Sequence, residues 1–124
     1  MKRFMVLNIY VLISMLTGGC STIGKLEYID EQGIHKTACD TQYSGDPQVD
    51  KYAVEFVLAH CAKQATAKGY QVIDESLLNI DMTIKPAPIG KTWSFELATL
   101  EYKNKQLTAK QYGYIIAFID LKLD

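Results

Sequence analysis

The chain has 124 residues, with 13 basic against 14 acidic side chains and 48 % apolar content. This suits one globular domain with a single core. Lysines and arginines are scattered without a run of either, which argues against a nucleic-acid surface or a polybasic membrane patch.

The N-terminus reads as an export signal. Lys2 and Arg3 form a positive start, Phe4 to Leu16 an apolar stretch broken only by Asn8 and Ser14, and Thr17, Gly18 and Gly19 a run of small residues before Cys20. The apolar stretch is short of the roughly 20 residues a spanning helix needs. Gly18, Gly19 and Cys20 resemble the lipobox of bacterial lipoproteins. Thr17 stands where that pattern usually has Leu, and Leu16 lies one residue earlier. The resemblance covers residues 1–21. It implies removal of residues 1–19, diacylglycerol on the Cys20 sulfur and an acyl group on its new amino terminus. Ser21, where an Asp would favour retention at the inner membrane, implies the outer membrane, with the domain facing the periplasm. The alternatives are ordinary cleavage near Gly19, giving a soluble periplasmic protein, a retained N-terminal anchor, or the inner membrane. The expected organisation is a signal over 1–19, a lipidated tether over 20–25 and one small domain over 26–124.

The resemblance also orders the cysteines. The chain has three. Assigning Cys20 to lipid leaves Cys39 and Cys61, which an oxidising periplasm favours as a disulfide. Closing that loop would contribute about 3 kcal/mol in the chain-entropy model. With Lys2 and Arg3 gone, 11 basic residues face 14 acidic ones.

In the domain, residues 26–39 predict a β-hairpin turning at Asp30-Glu31-Gln32-Gly33. A long helix follows over Pro47–Lys68. Asp46 suits its N-cap, Pro47 its first turn and Gly69 its C-terminal stop. Val49, Ala53, Phe56, Val57 and Cys61 share one face, with Val54, Leu58 and Ala65 beside it. Lys51 and Glu55 are spaced for an i,i+4 ion pair. Cys61 falls toward the buried side, within reach of Cys39.

Tyr70 to Asp74 predict a short strand. The alternation of Leu78, Ile80, Met82 and Ile84 with polar residues predicts another. Pro86-Ala87-Pro88-Ile89-Gly90 is a stiff turn. Beyond it, Trp93, Phe95 and Leu97 alternate, yet Trp93, Leu97 and Leu100 also share a helical face. Thr108 to Gln111 match a capping box. The favoured reading is a helical hairpin over 93–104 and 109–122; the rival is a β-hairpin, because Tyr, Ile and Phe favour strands and Gly113 disfavours a helix. The fold class is α+β.

Candidate chemistry is sparse. His35, Cys39, His60 and Cys61 are zinc-ligand types. Adjacent His60 and Cys61 diverge by about 100° on a helix, however, and a disulfide accounts for both thiols. A Cys–His nucleophile pairing Cys61 or Cys39 with His35 fails for the same reason. His60 reads as a helix histidine satisfied by a carbonyl or water. Asp74, Glu75 and Asp81 could form a hydrolytic pair, but acidic turns are usually solvated. No P-loop, dinucleotide fingerprint, GxSxG or HExxH occurs.

Trp93, Tyr102, Tyr112 and Tyr114 read either as a core or as a candidate binding surface. The expectation is a non-enzymatic lipoprotein of the cell envelope, without metal or cofactor. Its partners would be the membrane, through the anchor, and a further envelope protein. An inhibitor of an envelope enzyme, offering the loop 86–92, and a small hydrolase are the alternatives. The domain resembles small exported lipoproteins of unassigned function.

Overall fold

The computed structural model describes residues 21–123. The export segment and Cys20 lie outside the described residues, so the reading of that region stands on sequence alone. The domain is α+β. Strands β1 (Thr22–Ile29) and β2 (His35–Tyr43) precede helix α1 (Pro47–Ala67), a short strand β3 (Gln71–Val72) and a 3-10 turn (Glu75–Asn79). Helices α2 (Phe95–Lys103) and α3 (Ala109–Asp120) complete it.

The sheet is antiparallel with order β2-β1-β3. Its hairpin turn forms because the Asp30 carboxylate accepts from the backbone N–H groups of Gln32 (2.9 Å) and Ile34 (3.0 Å). Gly33, at φ 75°, supplies the left-handed step that a side chain would resist. The hairpin is longer than the sequence predicts, and β1 begins at Thr22. Residues 22–25, expected to form a tether, pair instead with Asp40 to Tyr43. The register slips between Leu26 and Glu27, a bulge beside Cys39.

Helix α1 starts as expected: Asp46 caps it by accepting from the Gln48 N–H at 2.9 Å, and Pro47 opens its first turn. Its burial differs from the single face predicted. Val49, Ala53, Phe56 and Val57 are buried, as are Val54 and Ala65 beside them, but so are Ala59 and Ala62. The helix has the sheet on one side and α3 with the segment 80–84 on another, so apolar residues surround most of it. The disulfide Cys39–Cys61 joins β2 to α1, with a Cα–Cα distance of 6.4 Å.

Two further expectations are corrected. Residues 78–84 form no strand: Glu75–Asn79 is a 3-10 turn capped by Asp74, and Ile80 to Ile84 run without a ladder. Ile80, Met82 and Ile84 still point inward, packing on the α1–α3 core. The expected Lys51–Glu55 ion pair gives way to other partners. Glu55 accepts from the Tyr114 hydroxyl at 2.9 Å, and the Lys51 ammonium lies 4.9 Å from the Tyr52 ring centre.

The C-terminal third is a helical hairpin, and its rival β-hairpin is excluded. Ser94 caps α2 through the Leu97 N–H at 3.1 Å. The Thr108 box forms completely: its hydroxyl accepts from the Gln111 N–H at 3.1 Å, and the Gln111 side chain accepts from the Thr108 N–H at 2.9 Å. Gly113, the residue that argued against a helix, is the point of closest approach to α1. A Cβ there would lie 2.6 Å from the Val49 carbonyl oxygen and 2.8 Å from the Tyr52 Cβ.

Candidate functional site

The four aromatic residues singled out in the sequence do not make one surface. Tyr114 is 3 % exposed and lies in the α1–α3 core against Phe56, with ring centres 5.2 Å apart. Burial, and then its bond to Glu55, push its phenol pKa up. Tyr102 and Tyr112 stack on each other at 4.4 Å, and Tyr112 shares a 3.0 Å hydroxyl bond with Thr99 on α2. Together with Trp93 they pack around the buried Ala98, Leu107 and Ile115. These rings chiefly hold α2 against α3.

Trp93 alone also faces a cleft. Its indole N–H donates to the Lys85 carbonyl at 2.7 Å, which fixes the ring. Its exposed side lines a groove between the loop before α2 and the C-terminal half of α3. Ala87, Phe118 and Ile119 form the apolar lining, and Lys91 and Lys122 stand at the rim. The groove measures about 610 Å³ and is open to solvent. Above it, the Pro88–Lys91 turn closes with the Lys91 N–H donating to the Pro88 carbonyl at 2.9 Å, and Gly90 takes φ 78°. This turn holds Ile89 at its tip, fully exposed. Ile89 is the most exposed of the large apolar side chains among the described residues.

The remaining candidates have local roles. Asp74 accepts from the Ser76 N–H at 3.2 Å, and Asp81 from the Thr83 N–H at 2.9 Å and hydroxyl at 2.6 Å. The Thr83 hydroxyl and then its N–H hold the Asp81 carboxyl below the usual carboxylate range. Asp74 caps the 3-10 turn, and Asp81 holds only its own neighbour Thr83. His35 is exposed on β2, and His60 is half-buried on α1. Cys39 and Cys61 are consumed by their bond, so neither thiol is free to bind zinc or attack a substrate. Among the described residues, no group of three His, Cys, Asp or Glu side chains is placed to hold a metal. A second, smaller cleft of about 130 Å³ lies beside the disulfide, between Tyr28, Tyr70 and Lys68.

What the groove can do chemically follows from its lining. Exposed Lys91 and Lys122 beside Ala87, Phe118 and Ile119 give the groove a lining that is both cationic and apolar. Sequence reasoning named Trp93 and the 86–92 loop but missed Lys122, Phe118 and Ile119. Periodicity on α3 shows which residues face α1, not which meet a distant loop.

No protein-family model, curated protein or solved structure matches this chain.

Proposed function

We propose that this chain is a lipid-anchored protein of the cell envelope with a binding role, acylated at Cys20 and held at the periplasmic face of the outer membrane. Residues 1–21 support the anchor by their resemblance to a lipoprotein signal. A domain cross-linked between Cys39 and Cys61 accords with an oxidising compartment.

The observation that carries the binding role is Ile89. It is fully exposed on a turn stiffened by Pro86 and Pro88, next to the groove of Trp93 and Phe118. Ile89 extends the apolar surface of that groove, and apolar surface gathered in one place favours a covering partner.

Two experiments test the two halves. Metabolic labelling with an alkyne fatty acid should mark the wild type and not Cys20→Ser; equal labelling of both would sink the anchor. A photo-crosslinking amino acid at position 89 should give adducts in cells that the same probe at Glu31, on the hairpin turn, does not. Equal adducts at both positions would remove the binding role from this loop.

A further inference from the structure

We infer that the Ile89 turn and the lysine rim of the groove dock onto the anionic headgroup layer of the bilayer that carries the anchor. This rests on the reading of Cys20 as the lipid-bearing residue.

The first support is where the chain enters the fold. Ser21 shares a 3.0 Å hydroxyl bond with Ser44, and Thr22 pairs with Tyr43. The Tyr43 hydroxyl donates to Asp120 at 2.9 Å, at the end of α3. Ile119, next to Asp120, and Lys122, two residues beyond it, line the groove. A continuous run of contacts therefore joins the lipid-proximal residue to the groove. The turn at Asp30–Ile34 lies at the opposite end of β1.

The second support is the short leash. β1 begins at Thr22, so only Ser21 separates Cys20 from ordered strand. An anchored domain on so short a connection stays at the bilayer surface, where its effective concentration toward lipid is high. A weak surface contact then suffices to fix its orientation.

The third support is complementary chemistry. Ile89 is an apolar tip for the acyl boundary, and Trp93 is a side chain favoured at membrane interfaces. Lys91 and Lys122 stand beside them although the chain as a whole carries more acidic than basic residues. Lysines near an anionic leaflet are attracted to its phosphates, and the attraction fades within a Debye length. Asp120, two residues before Lys122, accepts the Tyr43 hydroxyl, and Asp124, two residues after it, lies outside the described residues.

Trp93 is the only tryptophan in the chain, which makes the test direct. The mature protein would be reconstituted in phosphatidylcholine vesicles with and without phosphatidylglycerol, with bromine on the acyl chains as quencher. Mass spectrometry would record the state of Cys20 in the same sample. Acylated protein should show Trp93 quenching that strengthens with phosphatidylglycerol and weakens with salt. Ile89→Asp and the double variant Lys91→Glu/Lys122→Glu should lose the quenching while keeping the wild-type circular dichroism spectrum and remaining vesicle-bound through the anchor. Acylated protein that is unquenched, or quenched equally in all variants, overturns the docking and leaves the anchor standing. Crosslinks between two copies through position 89, without quenching, would make a second copy the occupant and also overturn it. An unmodified Cys20 would overturn the anchor and the docking together.

Discussion

The hydroxyl of Tyr114 donates to Glu55 Oε1 at 2.9 Å, tying α3 to α1 across the centre of the domain. The phenol is raised by burial first and by the carboxylate second. A raised phenol binds its proton more tightly folded than unfolded. Its stabilisation is therefore complete below about pH 10 and falls as pH rises beyond it. Tyr43 is raised by burial and by Asp120, with the same sign. Urea titrations at pH 8 and pH 11 should show the wild type losing stability, and Tyr43→Phe/Tyr114→Phe losing less. At pH 8, Tyr114→Phe alone should cost about 1 to 2 kcal/mol. An identical pH dependence in wild type and double variant would refute the assignment.

Gly113 inverts the usual rule for helices. Glycine to alanine within a helix ordinarily gains up to about 1 kcal/mol. Here the new Cβ meets the Val49 carbonyl and Tyr52 Cβ, and α1 must move away. Gly113→Ala should therefore destabilise, by about 1 to 3 kcal/mol for an overpacked core. Thermal unfolding decides it, and a rise in Tm would be the contrary result.

The Cys39–Cys61 bond closes a loop with a sequence separation of 22. Replacing both cysteines with serine should lower stability by about 3 kcal/mol, mainly by freeing the unfolded chain. Reduction of the wild type should reproduce that loss and leave the double variant unchanged. A variant as stable as the oxidised protein would contradict the entropic account.

Asp30 organises the hairpin turn. Its carboxyl is held below the usual range by the Ile34 N–H first, with Lys36 adding an ion pair at 3.0 Å. Stability from this group is present above about pH 4 and drains away as pH falls through its lowered folded value. Amide exchange at Gln32 and Ile34 should quicken in Asp30→Ala. Protection equal to the wild type would show that the turn holds without the carboxylate.

The parts of this fold legible in the sequence are those with local causes. Asp46 and Pro47 mark the start of α1, and Thr108 with Gln111 marks α3 against the strand propensity of Tyr112, Ile115 and Ile116. Residues 78–84 show the limit. Ile80, Met82 and Ile84 do alternate in burial, because an extended segment with one covered side needs only that. What covers them is side chains of α1 and α3, and alternation carries no signature of a ladder partner. Ala59 and Ala62 were missed for a related reason: alanine is weakly apolar, and its burial reflects two layers closing on α1. The groove was half legible, since Trp93 and the proline turn lie together but Phe118 and Ile119 arrive from α3 and Lys122 from the turn that ends it.

β1 is the middle strand of the sheet, paired with β2 on one side and β3 on the other. A force applied to the Thr22 end of β1 against a hold at the far end of the sheet would enter lengthwise along β1. It would load the ladder to β2 in shear, across every pair from Thr22–Tyr43 to Ile29–His35 at once. Beyond that ladder the covalent link from Cys39 passes the load to α1. Strands pulled apart at one end of a hairpin unzip pair by pair, whereas a pull along β1 acts on all its pairs together. On the proposed anchor at Cys20, the domain would be mounted through its middle strand.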